Sequence, residues 1–137
     1  MPALVGLLGI LFAQEHELSA DPVKQRRALE LILSDPSRAR IYVAREKDKV
    51  IAMVALHFTI STAEGGKVAA LEDCVVHPDH RGKGVGKALL GYVLEQARAE
   101  GALRVMLLTD GDNTRAQSLY RKLGFKPSQM LAMRWKP

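Results

Sequence analysis

The chain opens on an unbroken apolar run. Pro2 to Phe12 carry no charge, have no Lys or Arg ahead of them and are too short to span a bilayer, so they predict a packed first helix and no membrane anchor. Ser19-Ala20-Asp21-Pro22 follows, in which Ser19 or Asp21 can cap a helix and Pro22 can take its first turn. Val23, Ala28, Leu29, Leu31, Ile32 and Leu33 then lie against Lys24, Arg26, Arg27 and Glu30, a helical stripe that Asp35-Pro36 ends.

From Ala39 the pattern changes to β-formers. Ile41 to Ala44 and Val50 to Leu56 flank the polar turn Arg45 to Lys49 and predict two antiparallel strands. Gly65-Gly66 marks the next turn, and Lys67 to Val76 reads as a third strand that stops at His77-Pro78, because proline cannot donate to a sheet ladder. Helical spacing returns through Val85, Leu89, Leu90, Val93, Leu94 and Ala97 until Gly101, and a strand from Leu103 to Thr109 follows. A strand, loop, helix and strand in this order normally joins two parallel strands, so the sheet should be mixed. Asn113 is placed to cap a helix through Leu123 that Gly124 stops. Met130 to Trp135 alternates Met130, Ala132 and Arg134 against Leu131, Met133 and Trp135, a last strand by pattern.

Composition adds limits. At 137 residues the chain fits one domain spanning residues 1–137, with no linker, repeat or low-complexity tract. Hydrophobic residues at 47% and charged residues at 26% argue against disorder and against a fibrous class. The one cysteine, Cys74, excludes an intrachain disulfide and a cysteine zinc cluster and fits a reducing cytoplasm. His16, His57, His77 and His80 share no metal-ligand spacing, so no metal is expected. The net charge of +5 suits nucleic acid, an acidic partner or a phosphorylated cofactor, and does not choose among them.

The stretch Val76-His77-Pro78-Asp79-His80-Arg81-Gly82-Lys83-Gly84-Val85-Gly86-Lys87 does choose. It joins a strand end to a helix start. Alternate glycines let successive backbone N–H groups turn toward a ligand, the helix terminus adds partial positive charge, and Arg81, Lys83 and Lys87 add full charges. A P-loop is excluded by the spacing from Gly82 to Gly86 and by Ala88 after Lys87; a dinucleotide fingerprint is excluded because its third glycine would fall at Leu89.

Arg81-x-x-Gly84-x-Gly86, preceded by Val76-x-Pro78, resembles the R/Q-x-x-G-x-G/A motif of the GNAT acetyltransferase superfamily, and the likeness extends to Asn113, Tyr120 and Leu123-Gly124-Phe125. The resemblance implies an α/β fold with a mixed, twisted sheet flanked by helices, and acetyl-CoA as cosubstrate without a metal. The chain enters its first apolar segment almost at once, so the family's first edge strand is expected to be missing or very short. Carried over residue by residue, the family pattern lays the backbone of Cys74, Val75 and Val76 along the pantetheine arm. It gives the pyrophosphate to Arg81, Gly82, Lys83, Gly84, Val85, Gly86 and Lys87, and a coenzyme A contact to Asn113, which can equally serve as a helix cap. Tyr120 matches the family tyrosine that protonates the departing thiolate; a phenol, with a reference pKa of about 10, keeps its proton at pH 7.

Glu72 and Asp73 form an acidic pair inside an apolar strand, where unpaired carboxylates cost several kcal/mol, so they should face a cleft or cations. Glu72 is the candidate base for the amine proton, and both acids are candidate substrate contacts; a structural ion pair is the plainer use. Alternation places Glu72 with Cys74 and Asp73 with Val75 unless a bulge intervenes. Leu71-Glu72-Asp73 resembles the spermidine/spermine and thialysine branch of the superfamily, which implies a small di- or polyamine-like acceptor attacked by direct transfer in a ternary complex. A backbone N–H near Val75 would hold the carbonyl oxygen. Cys74 as a nucleophile lacks a nearby histidine in sequence. The resemblance also implies a homodimer. Against this stand a non-catalytic acyl-CoA sensor and, less favoured, a nucleic-acid module, which lacks aromatic interleaving and a binding motif. No nucleic-acid or membrane partner is therefore expected.

Overall fold

The computed structural model describes residues 1–14 and 19–137. Helix α1 spans Pro2–Gln14 and α2 Pro22–Ser34. Strands β1 (Ala39–Glu46), β2 (Lys49–Ser61) and β3 (Gly66–Val76) follow, then a 3-10 turn at Pro78–His80, helix α3 (Val85–Ala99), strand β4 (Val105–Leu107) and helix α4 (Thr114–Lys122). The fold is α/β: one mixed sheet in the order β1-β2-β3-β4, antiparallel from β1 to β3 and parallel between β3 and β4. No described strand precedes α1. His16 lies outside the described residues.

Asp21, not Ser19, caps α2. Its carboxylate accepts from the N–H groups of Val23 and Lys24 at 3.2 and 3.3 Å, and Gln25 reaches back to accept from the Asp21 N–H at 2.7 Å.

Helices cover both faces of the sheet. Ala52, Val54 and Leu56 of β2 pack with Leu89, Leu90, Val93 and Ala97 of α3, whereas Met53 and Val75 pack with Leu7 and Leu8 of α1 and Leu29 of α2. A strand covered twice can be apolar throughout, which is why Ile51 to Leu56 form an unbroken buried run.

Two expected strands differ. The stretch from Leu103 to Thr109 narrows to Val105–Leu107, although the Leu103 N–H already donates to the Lys67 carbonyl at 2.9 Å. Met130 to Trp135 forms no strand at all. Its alternation meets the side-chain requirement of a strand, but the ladder needs a neighbour, and β4 pairs with β3 alone among the described residues.

Candidate functional site

The third strand bulges where its acids sit. Met53 faces Val75, yet two residues on Ala55 faces Glu72, three residues back. The extra residue forces Asp73 to φ 56°, a left-handed conformation that Asp tolerates better than most side chains. The bulge reverses the simple alternation: Val75 packs toward α1 and α2 while Cys74 packs toward α3. Glu72 falls on the α1 and α2 side, across the sheet from the thiol.

Pairing between β3 and β4 stops at Leu71 and Leu107, while β3 continues to Val76. One side of the backbone from Glu72 to Val76 thus has no strand beside it among the described residues. The other side stays anchored to β2 through Val75 and Val76, and the His77 N–H donates to the Ile51 carbonyl at 2.7 Å.

This open edge runs into the glycine loop. Gly82 and Gly84 hold φ 77° and 81°, where any Cβ is strained. Gly84 is the N-cap of α3 and offers no side-chain acceptor, so the first N–H groups of a 15-residue helix lack a side-chain cap. Lys83 and Lys87 are exposed beside them. Arg81 braces the loop: its Nε donates to the Val76 carbonyl at 3.1 Å, and with the Gln14 amide turned so that its oxygen faces the guanidinium, Nη1 and Nη2 donate to it at 3.1 and 2.8 Å. A Cβ on Gly86 would lie 3.5 Å from both Val76 Cγ2 and Leu119 Cδ2, ordinary contact distances that mark where β3, α3 and α4 converge.

Helix α4 brings the remaining candidates. Asn113 acts as its cap, accepting from the Ala116 N–H at 3.2 Å. Half-buried Tyr120 packs on the same apolar cluster as Cys74, Val76 and Val85, with its ring 6.0 Å from that of Phe125. The structure therefore gathers Tyr120, the β3 end and the loop around one corner of the sheet.

Two side chains beside the site escaped the sequence reading. His57 on β2 places Nε2 3.9 Å from the Glu72 carboxylate, two positions along from Ala55, the residue facing Glu72. That Nε2 is buried without a hydrogen-bond partner. Arg115, in the first turn of α4, brings Nη2 to 3.9 Å from where a Gly82 Cβ would stand. Neither proximity has a signal in spacing: one depends on strand register, the other on helix packing.

Burial sets the titration of this corner. Desolvation raises the Asp73 carboxyl above its ordinary value, and Glu72 adds to the rise while His57 opposes it. Desolvation also pushes the Cys74 thiol up to about 11, which keeps it protonated and a poor nucleophile at neutral pH. The described residues contain no group of three or more His, Cys, Asp or Glu that could hold a metal. No described helix is long and apolar enough to cross a membrane.

The model of the acetyltransferase (GNAT) family matches residues 8–125. The chain belongs to that family. An uncharacterized N-acetyltransferase of Methanocaldococcus jannaschii is 32% identical over 91 residues, 66% of this chain and 40% of that protein. A glucosamine 6-phosphate N-acetyltransferase of Trypanosoma brucei brucei is 30% identical over 88 residues, 64% of this chain and 58% of that one. The matched stretches thus span between 40% and 58% of the length of these GNAT relatives. A solved possible acetyltransferase from Clostridium difficile 630 superposes with a TM-score of 0.87 over 99% of this chain and 90% of that one; at 17% identity it shows the shared fold alone.

Proposed function

We propose that this chain is an N-acetyltransferase that moves the acetyl group of acetyl-CoA to a primary amine of a small cationic acceptor by direct attack in a ternary complex. The observation that carries the reading is the backbone of Glu72 to Val76, left open beside β4 and leading into an uncapped helix terminus with Gly82 and Gly84 at positive φ. An extended amide-bearing arm fits such an edge as an added strand would, and a pyrophosphate fits the terminus. When bound, acetyl-CoA supplies the activated acetyl thioester.

The residues present meet the needs of the cofactor. Gly82 to Lys87 offer N–H groups and cations for phosphate, Arg115 adds a charge, and Arg81 holds the loop to β3 and α1. Glu72, exposed at the bulge, would take one proton from the ammonium, and the neutral nitrogen would form a bond to the thioester carbonyl carbon as the carbon–sulfur bond breaks; Tyr120 would give its proton to the departing sulfur and recover one from the nitrogen as the amide forms. The bulge also splays the backbone near Val75, where an N–H can hold the carbonyl oxygen as charge develops.

The acid pair supports a cationic acceptor. Glu72, exposed on the face away from the thiol, offers a carboxylate to such an acceptor, with His57 Nε2 3.9 Å from it. The Leu71-Glu72-Asp73 likeness to diamine and polyamine acetyltransferases points the same way. A cytoplasmic homodimer belongs to the same reading.

The test is thiol release from acetyl-CoA with diamines, polyamines, aminoglycosides, amino acids and amino-sugar phosphates, with Tyr120→Phe run in parallel. Turnover on a diamine or polyamine is expected, falling about 10²-fold in the variant. Turnover restricted to neutral or anionic amines would retire the cationic acceptor and keep the transferase. Acetyl-CoA binding without turnover on any amine would favour a sensor.

A further inference from the structure

The imidazole of His57 is set among methyl groups. Its direct neighbours across the two ladders are Ala39 on β1 and Ala70 on β3, and Ala55 stands two positions back on the same face of β2. None of these side chains can accept a hydrogen bond. The ring is 36% exposed, yet Nε2 is buried and unpartnered among the described residues. A buried polar nitrogen is costly until it finds an acceptor. The Glu72 carboxylate is in reach. Glu72 faces Ala55 and so lies diagonally from His57, with Oε2 3.9 Å from Nε2. That is about 1 Å beyond a hydrogen bond. Glu72, 63% exposed, has room to close the gap by rotating its side chain. Asp73 is the poorer partner, since His57 is the weakest of the three influences on its carboxyl.

We propose that His57 is a positioning residue: its Nε2–H donates to Glu72 Oε2 and turns Oε1 toward the amine of the acceptor. The use of this contact rests on the acetyltransferase reading, whereas the contact itself follows from the register of β2 against β3. Donation needs a hydrogen on Nε2, carried by the neutral Nε2–H tautomer or by the imidazolium. An exposed glutamate samples several rotamers, and a base takes a proton only from within hydrogen-bond distance. Held by one oxygen, the carboxylate presents the other in a fixed place. The hydrogen bond also favours the charged carboxylate, so Glu72 stays ready to accept. No proton passes through the imidazole; the ammonium proton goes to Glu72.

Long-range proton–nitrogen spectra of the histidine rings in the full chain test the contact without turnover, with His57 assigned by its loss in His57→Gln. At neutral pH the wild type is expected to carry hydrogen on Nε2, and the signal to shift in Glu72→Gln and less in Asp73→Asn. A bare Nε2, or a signal that Asp73→Asn moves more than Glu72→Gln does, would overturn the proposal. Kinetics test the use. His57→Leu is expected to lower kcat about tenfold or more while the acetyl-CoA KM stays within about twofold. His57→Gln, whose amide N–H reaches about as far as Nε2, is expected to recover kcat to within about threefold of wild type. In a Glu72→Gln background, His57→Leu should cost nothing further, because His57 acts through that carboxylate. Should His57→Leu fail to fold, His57→Asn, polar but too short to reach Glu72, takes its place. An equal loss in the Glu72→Gln background, or a change in KM alone, would overturn the positioning role. An inactive wild type with the expected spectrum would retire the transferase and keep the contact. Full turnover in His57→Leu would retire the positioning role and keep the transferase.

Discussion

Strand β3 and the segment from Met130 to Trp135 are both rich in apolar residues with strand-forming character, and they end in opposite circumstances. In β3, Val68, Ala69 and Leu71 are buried between helices on two faces and strands on two edges, and Val75 is buried against β2 and the helices. In the tail, four large apolar side chains stand in solvent. The difference is not in intrinsic preference. A strand is stable only where neighbours take its hydrogen bonds and cover its faces, and β3 finds β2, β4, α1 and α3 within its own chain while the tail finds no ladder there.

The largest expected effect breaks the comparison at its buried end. Leu90→Ala, in the fully buried layer between α3 and the sheet, should cost about 2–5 kcal/mol in chemical denaturation, as large-to-small core changes do. Met133→Ala, measured at concentrations where chains are separate, should change stability by less than about 0.5 kcal/mol. A comparable loss in both would mean that the tail is packed within the monomer.

Next in size is the loop that follows β3. Gly84→Val places a branched side chain at φ 81°, at a backbone cost of about 1–2 kcal/mol, and sets a side chain where the phosphate reading needs bare N–H groups. Acetyl-CoA affinity by calorimetry should fall at least tenfold. Gly86→Ala meets only ordinary contacts at 3.5 Å and should bind within a few-fold of wild type. Equal losses would move the constraint from backbone conformation to space.

A smaller effect sharpens the contrast within β3. The folded chain holds the Asp73 proton to higher pH than the unfolded chain, whose ordinary value is 3.8. The contribution of this group to stability is therefore fully present below that pH and is lost as pH rises through the raised value. Asp73→Asn, which also tolerates the left-handed backbone, should melt slightly higher than wild type at pH 7, and the two should converge as pH falls toward 3. A higher melting temperature for wild type at pH 7 would show that Asp73 has a stabilising cationic partner. Smallest of all, Glu30→Gln breaks an exposed pair with Arg26 at 3.7 Å and should cost no more than about 0.5 kcal/mol in the same melts.

Much of this corner could be read one-dimensionally. Asp21-Pro22, the strand stop at His77-Pro78, the glycines before α3, Gly101 at its end and the Asn113 cap all act on the few residues next to them, so local chemistry was sufficient. The tail was misread for the complementary reason, since alternation records what a strand offers and not whether a partner accepts it. His57 and Arg115 were missed because their neighbours lie on other elements.

By itself the sequence determined the order of the elements, the break between β3 and α3, and the collection of glycines and cations at that break, because these depend on backbone preferences and on neighbours a few residues away. Tertiary structure alone decided the rest. The register of β2 against β3 created the bulge, separated Glu72 from Cys74 and set His57 beside the carboxylate. The early end of β4 pairing opened the β3 edge, and the packing of α4 brought Tyr120 and Arg115 to it. Each depends on which distant segments share a ladder or a face, a choice made by the burial of the whole sheet and written in no single stretch of residues.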